Sequence, residues 1–484
     1  MATSVLETKG ESTHDPSNRT NPDIITGILS DTGTTNTDDL ILQANGHKPQ
    51  LRRQFNWLSA LGLGFSITNS WVGYLSNFGQ IMTYGGPRLV IVGLILAFSA
   101  QSIISIGLAE IGSAFPSSGG QYHFCFLLAP HNSRRFAAYV VGWMSVVAWW
   151  VTTNPCLRCI QEGLNYLPDH LAFIYRRRNN NAFPLHIAEE MQHPGRRVPQ
   201  IIITTLMIGL TTTLPLFVAL LLFSNDTEKI MGSPLPSAEL IHQATGSRAS
   251  TMFLIIWILI VYISCLPSQW VTSGRLAWAF ARDNGIPFPR YFSDISPTFQ
   301  FPVRTTTAAF VFVLLYGLLY LASTTAFNSI ITSAVLFLNI TYAVPQGILL
   351  LRRARSLLNS ASKTNTNMSI LPPRYLDLGP FLGSFCNAFS ILWIIVLGVF
   401  VCFPLEIPVN LASANYTPAV VVGIFSLILL LWGLGGRKMF EGPRVDWEGL
   451  ELGLRARVPC MTRSYLQSIS TGHVKTEQDS KIVV

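Results

Sequence analysis

With 484 residues the chain is long enough for several soluble domains, but its composition excludes that division. Hydrophobic residues make up 49% and charged residues 12%, whereas globular proteins are about 25% charged. The mean hydropathy is +0.38, and the formal net charge of +8 lies in tails and short loops between long apolar runs. The pattern predicts an all-α, polytopic protein solvated by the lipid bilayer, with no basic face for nucleic acid.

The first predicted element is a polar tail at 1–54, rich in Ser, Thr, Asn and Asp. We expect this tail to be disordered and cytoplasmic, and it has no pattern of a cleavable signal peptide. A transmembrane domain at 55–435 follows, irregular or truncated at about 154–200, and then a second cytoplasmic tail at 436–484. Nine apolar runs have the roughly 20-residue length that crosses a bilayer. The predicted spans are 57–83, 88–114, 136–153, 201–224, 251–280, 303–322, 327–351, 381–403 and 418–435.

Basic residues predict the orientation of these spans, because Lys and Arg favour the cytoplasmic side. Arg52 and Arg53 precede the first span, which places the N-terminus inside. The third span then ends outside near 153, yet the span at 201–224 must begin inside. The stretch between them is too charged to cross, at about 2.5–3.5 kcal/mol for each central charge. An odd number of crossings is therefore missing from this region.

Metal and enzyme chemistry find little support in the sequence. Cys156 and Cys159 are the closest of seven cysteines, and neither a second pair nor a His partner follows them. The chain carries no nucleophile motif, no HExxH and no phosphate-binding loop. We therefore predict no metal, no cofactor and no enzymatic activity.

The middle of the first span combines Gly with polar residues, reading LGLGFSITNSWVG at 61–73. Transporters break helices at the bilayer midplane, where freed backbone groups bind ions and substrates. A Gly-lined packing face, with Ser and Thr bonding between helices, explains the same composition. Spacing alone leaves both interpretations open.

Five further motifs lie along the rest of the chain: GGQYH at 119–123, EEMQHPGRRVP at 189–199, WAFARDNGIP at 278–287, YLASTTAF at 320–327 and CFPLEIPV at 402–409. Together they resemble the amino acid–polyamine–choline permease superfamily in its fungal branch. The last two motifs look most like choline permeases, with GABA and amino-acid permeases close. The resemblance covers 55–153 and 183–435.

This resemblance implies twelve helices, of which the first ten form two inverted repeats of five. The substrate would lie between broken spans one and six, with spans three and eight as walls. It also implies secondary transport of a small nitrogen-containing solute, such as choline, a related amine or an amino acid, with a proton as a candidate coupled ion. The substrate-binding residues carried over to this chain are Thr68, Asn69, Ser70, Trp71, Trp149, Trp150 and, as a weaker candidate, Trp270.

An aromatic cage is the physical counterpart of that site. Quaternary ammonium groups bind aromatic faces by cation–π contact, worth about 2 kcal/mol or more when desolvated. Trp71, Trp149 and Trp150 would supply the faces, and Asn69 or Ser70 would bond the hydroxyl of choline. The alternative is that these Trp side chains lie in interfacial belts or against lipid, as membrane Trp usually does.

Five charged residues are candidates for gating or structural roles. Glu110 is a lone carboxylate in an apolar span, near the end where it can reach water or a loop Arg. A structural or gating role is favoured for it over a proton relay. Glu189, Glu190, Arg196 and Arg197 belong to a cytoplasmic loop. They form either an inner-gate ion-pair set or, as the favoured interpretation, a solvated charge run.

The main departure from the family pattern is a gap. The family's spans four and five and the binding half of span six have no counterpart, so about nine spans are recognisable instead of twelve. The leading prediction is a transporter of the plasma membrane. The alternative is a transport-defective relative, acting as a sensor or partner subunit or being a degenerate product, with retention in the endoplasmic reticulum.

Overall fold

A computed structural model describes ten stretches of the chain: 55–68, 70–76, 78–152, 188–191, 193–233, 235–360, 371–372, 374–404, 414–443 and 445. Their regular structure is helical, apart from two isolated β-bridges, Phe55–Met191 and Ser296–Phe301. The N-terminal tail, Asn69, Cys156 and Cys159 lie outside the described residues, as does most of 154–200.

The helices, in chain order, are α1 (Trp57–Thr68), α2 (Ser70–Ser76), α3 (Phe78–Ala114), α4 (Gln121–Leu128), α5 (Arg134–Thr152), α6 (Pro194–Leu222), α7 (Thr227–Gly232), α8 (Pro236–Thr245), α9 (Arg248–Arg282), α10 (Pro289–Phe292), α11 (Val303–Ala322), α12 (Thr324–Ser360), α13 (Gly379–Val401) and α14 (Thr417–Leu431). A 3₁₀ turn, Ala188–Glu190, precedes α6. A π-helical turn, Trp432–Gly436, continues α14 into Arg437–Met439.

All nine predicted spans coincide with helices. Six helical stretches of the described residues are long and apolar enough to cross a membrane: Gly85–Ala114, Pro194–Leu222, Arg248–Arg282, Thr325–Ser356, Gly379–Val401 and Thr417–Met439. The other three spans are α5, α11 and the first span, which α1, α2 and the beginning of α3 form together. The all-α, multi-pass architecture with about nine spans is thus confirmed.

A kink in α3 separates the first two spans. Gly86 has φ 62° and ψ −167°, a backbone conformation that is essentially restricted to glycine, and Pro87 follows it. Proline removes a helical N–H and clashes with the preceding turn. The chain therefore reverses between the predicted spans 57–83 and 88–114.

Helix packing divides the molecule into an outer and an inner end. At the outer end, Leu75, Phe78, Phe217, Leu240 and Ile241 form a buried apolar cluster that joins α2, α3 and α6 to α8. The charged side chains that are buried lie at the opposite end, which the basic residues predict to be cytoplasmic. α3 packs mainly against α6, and α12 mainly against α13.

The helix α12 is longer than predicted, since it continues from 351 to Ser360. Residues 352–355 carry three arginines and lie beyond the predicted span 327–351. Straight-chain residues such as Arg and Leu favour helix, and the segment 351–358 consists largely of them. The extension positions Arg353 for the contact with α3 described below.

The predicted orientation can be tested by cysteine labelling, with Met231→Cys on α7 and Phe299→Cys before α11. Both side chains are exposed, at 42% and 73%. In a cysteine-free background, a membrane-impermeant maleimide applied to intact cells is expected to label position 231 and not 299, because the basic residues predict that the loop after 224 faces outside. Permeabilised cells should label both, and the reverse result in intact cells would invert the topology.

Candidate functional site

The middle of the first span lies between α6 and α9. Ser66 Oγ is 3.3 Å from Ser268 Oγ, which joins α1 to α9. A Cβ placed on Gly209 would lie 2.6 Å from Ser70 Oγ, so α2 approaches α6 closely at this glycine. Thr68 ends α1 and Trp71 follows Ser70 in α2. Asn69, which lies between α1 and α2 in the sequence, falls outside the described residues.

Trp149 and Trp150 lie at the end of α5, and Trp270 lies in the middle of α9. Trp149 is buried, at 7% exposure. The Trp150 ring is 5.3 Å from Phe312, and the Trp270 ring is 5.2 Å from Phe310. The two phenylalanines are two positions apart on α11, about 200° around the helix. Trp150 and Trp270 therefore contact different sides of one helix.

The predicted cage is not assembled by the described contacts. No ring contact among the described residues joins Trp71 to Trp149, Trp150 or Trp270. The indole N–H groups of Trp150 and Trp270 are buried and have no hydrogen-bond partner there. The substrate-binding assignments thus stay predictions, and these two donors are the geometric feature in their favour.

Glu110 is fully buried in α3 and is held by two arginines. Arg353 Nη2, from α12, donates to both carboxylate oxygens at 2.9 Å. Arg374, from the segment before α13, donates to Oε1 through Nη2 at 2.8 Å and Nε at 3.1 Å. Gly383 makes room for this arrangement, since a Cβ there would lie 2.3 Å from Arg353 Nη1. The loop Arg expected from the sequence is Arg374, and Arg353 is a helical residue that the sequence analysis did not select.

The burial of Glu189 and Glu190 contradicts the favoured interpretation that this segment is a solvated charge run. Their exposures are 6% and 4%, and each pairs with an arginine near the end of α9. Arg282 donates to Glu189 through Nη1 at 3.0 Å and Nη2 at 3.1 Å. Arg275 Nη2 lies 2.9 Å from Glu190. The arginine partners of the two glutamates lie 93 and 85 residues away along the chain, so no local sequence pattern could predict these pairs.

The same cluster connects three of the motifs. The Tyr122 hydroxyl, from GGQYH, donates to Asp283 Oδ2 at 3.0 Å, next to Arg282 in the Arg-Asp-Asn-Gly motif. The Ser118 N–H donates to Glu189 Oε1 at 3.2 Å.

Burial raises the pKa of Asp283 to about 6, although Arg282 and the Tyr122 hydrogen bond lower it. Burial, assisted by the charge of Arg282, lowers the pKa of His123 to about 3, so this ring is neutral.

Arg196 and Arg197 separate from the two glutamates of their own motif. Arg196 is exposed on α6, and its guanidinium lies 5.1 Å from the centre of the Tyr375 ring. Neither arginine has a carboxylate partner among the described residues. The proposed inner-gate ion-pair set therefore retains Glu189 and Glu190 with arginines of α9, while the arginines of α6 line a surface cavity with Trp57 and His193.

The Glu110 pairing predicts a large stability effect. Glu110→Gln leaves two guanidinium groups without their common anion, and breaking a buried pair costs about 3–5 kcal/mol. We expect a loss of free energy of unfolding in that range, measured by denaturant titration in detergent. Lys229→Gln is the control, because Lys229 is 62% exposed in its pair with Glu239 and should cost less than about 1 kcal/mol. Equal effects of the two variants would contradict the assignment.

The Glu190 carboxyl predicts a pH-dependent stability. Burial raises its pKa from 4.5 to about 7 against the pull of Arg275, with a further upward push from Glu189. The folded state then binds this proton more tightly, so the stabilisation is complete below about pH 4.5 and is lost as the pH rises through about 7. We expect about 1–3 kcal/mol of stability to be lost between pH 5 and 7.

Glu190→Gln removes the titrating group and keeps its shape. The variant should therefore lose the part of the pH dependence of the unfolding free energy that Glu190 contributes. Asp283 titrates in both proteins, and its contribution cancels in the comparison. Unfolding in detergent at a series of pH values measures the slope. An unchanged slope in the variant would show that Glu190 does not titrate in this window.

Residues 182–425, about half of the 484-residue chain, match the amino acid permease family. The choline transporter of Saccharomyces cerevisiae is 27% identical over 482 residues, with 81% of this chain and 83% of that protein covered. The transmembrane transporter swnT of Metarhizium robertsii is 26% identical over 479 residues, covering 81% and 93%. Among the described residues, no group of three or more His, Cys, Asp or Glu could hold a metal ion.

The alignments with both relatives are longer than the part of this chain that they cover. The match to the choline transporter is 482 positions long, whereas 81% of 484 residues is about 392 residues. About 90 aligned positions therefore have no counterpart in this chain, and the match to swnT gives nearly the same figure. The family match, the relatives and the apolar helices agree on a transporter type rather than an enzyme. The chain is a multi-pass membrane protein that belongs to the amino acid permease family.

Proposed function

We propose that this protein is built for transmembrane transport of a small nitrogen-containing solute, with choline or a related amine as the first candidate and amino acids as the second. The observation that carries the proposal is the family match through 182–425 together with the similarity to a protein named choline transporter. The identity of the solute, of the driving ion and of the membrane is proposed here. We place the protein in the plasma membrane.

The proposed solute site lies at the junction of α1 and α2. Support comes from the position of this junction between α6 and α9, through Ser66–Ser268 and Ser70–Gly209. Trp150 and Trp270 contribute unpaired indole donors, although they contact different sides of α11. An ammonium group would bind aromatic faces, and a hydroxyl or carboxylate would accept from an indole N–H or from Ser70.

A coupled proton is part of the proposal, but Glu110 is poorly suited to carry it. Protonation of Glu110 would leave Arg353 and Arg374 beside a neutral group at a fully buried position. An uncompensated buried charge is costly. The geometry favours a structural role for Glu110, in which it holds α3, α12 and the segment before α13 together.

The second candidate is a transport-defective relative, favoured by the gap of about 90 positions. We assign the gap to the stretch between 154 and 183, where the count of crossings fails. Alternating access moves one repeat against the other around a shared site. A first repeat with three helices of five lacks one half of that movement, so we expect little or no transport and retention in the endoplasmic reticulum.

An uptake experiment separates the two candidates. We expect radiolabelled choline uptake by the 484-residue chain in permease-null yeast to equal the vector control. A chimera that carries the corresponding segment of the yeast choline transporter between Asn154 and Phe183 is expected to show saturable uptake. Surface biotinylation gives the amount of each protein at the plasma membrane. Saturable uptake by the unmodified chain would refute the transport-defective candidate.

The chimera also tests the assigned site. We expect Trp71→Ala to lower uptake about five- to thirtyfold, which corresponds to the loss of one cation–π contact of about 1–2 kcal/mol. Trp257→Ala is the matched control, because Trp257 is 51% exposed on the lipid-facing side of α9. Equal losses at equal surface amounts would remove Trp71 from the site.

A further inference from the structure

A cavity of about 640 Å³ opens at the beginning of α6, next to the first turn of α1. Its polar walls are Arg196, Arg197, His193 and Gln200, and Trp57 closes the side towards α1. The basic residues before the first span predict that this end of both helices faces the cytoplasm. The cavity therefore lies where the headgroups of the cytoplasmic leaflet meet the protein.

The arginines of this cavity have no carboxylate partner among the described residues, in contrast to other arginines at the cytoplasmic end. Four other arginines at this end, whose side chains are at most 13% exposed, each contact a carboxylate at 3.0 Å or less: Arg275, Arg282, Arg353 and Arg374. Arg196 and Arg197 have no such partner in the described part of the chain. The aromatic face of Tyr375 orients Arg196 but leaves its charge available. Two adjacent guanidinium groups in a cavity are a binding site for a phosphate group.

One face of α6 continues from this cationic end into the apolar part of the membrane. Positions 196, 200, 203 and 207 follow each other at helical spacing, and Arg196 is separated from Met207 by about 16 Å along the axis. Gln200 comes next to the arginines, Ile203 and Thr204 follow side by side, and Met207, which is 48% exposed, comes last. The order of cationic, polar and apolar contacts is the order of phosphate, glycerol ester and acyl chain in a phospholipid.

We infer that Arg196 and Arg197 form a site for an anionic phospholipid of the cytoplasmic leaflet, with its acyl chains along Ile203 and Met207. Anionic lipids concentrate in that leaflet, and basic pockets between helices at that side bind their headgroups. The positive end of the α6 dipole adds to the attraction for the phosphate. A soluble phosphate compound would use the arginines alone and leave the apolar part of the face without a contact.

Native mass spectrometry of the purified full chain in detergent tests the site. Titration with phosphatidylserine is expected to give a bound lipid at concentrations where phosphatidylcholine gives none. The double variant R196Q/R197Q should weaken phosphatidylserine binding at least about tenfold, since each arginine near a membrane surface contributes to the attraction. R355Q is the matched control, because Arg355 is an exposed arginine at the same end, on α12.

Four results would overturn the inference. Equal weakening by R355Q would show attraction to the general positive charge of this end, and equal binding of both lipids would show no anion site. Binding of glycerophosphoserine, which has no acyl chains, as tightly as the lipid would show a site for free phosphate compounds. Unchanged phosphatidylserine binding by the double variant would exclude these arginines. The melting temperature in lipid-free detergent should be the same for all proteins, which separates lost binding from lost folding, and no readout depends on transport.

Discussion

A charge surrounded by protein and lipid must meet an opposite charge, and this requirement organises the inner end of the molecule. Glu110 is fully buried and lies between Arg353 and Arg374. These three residues come from α3, from the extended end of α12 and from the segment that leads into α13. Because none of the three charges is stable alone at this depth, the helices that carry them are held in one arrangement. Gly383 accommodates this arrangement, since a side chain there would force the Arg353 guanidinium to shift.

A second set of charges closes the neighbouring part of the inner end. Glu189 and Glu190 connect the turn before α6 to Arg282 and Arg275 of α9. Asp283 extends this set to Tyr122 in α4. The outer end has no comparable set among the described residues and is held by apolar packing of α2, α3, α6 and α8. The inner end is thus specified by directional contacts, and the outer end by shape and hydrophobicity.

The gap that we propose between α5 and α6 would affect function more than the folding of the described helices. α6 still packs against α1 and α3, and α9 still packs against α5 and α11. The positions assigned to the solute, however, depend on helices that the family pattern places in this gap. Trp150 and Trp270 contact opposite sides of α11, and no ring contact joins Trp71 to either of them. The charge pairs at the inner end are complete, whereas the aromatic residues of the proposed site are dispersed.

The sequence by itself determined the membrane class, the nine spans and the family. Hydropathy over about 20 residues is a local property, and the motifs are contiguous. It also predicts an odd number of missing crossings, since the bias of basic residues is local too. Only the tertiary structure decided that Glu189 and Glu190 are buried, that α12 carries Arg353 to Glu110, and that Arg196 and Arg197 lie apart from both networks. The partners in these pairs are 85 to 264 residues apart. Whether a charged residue is solvated or buried depends on which distant helix packs over it, and no local pattern contains that information.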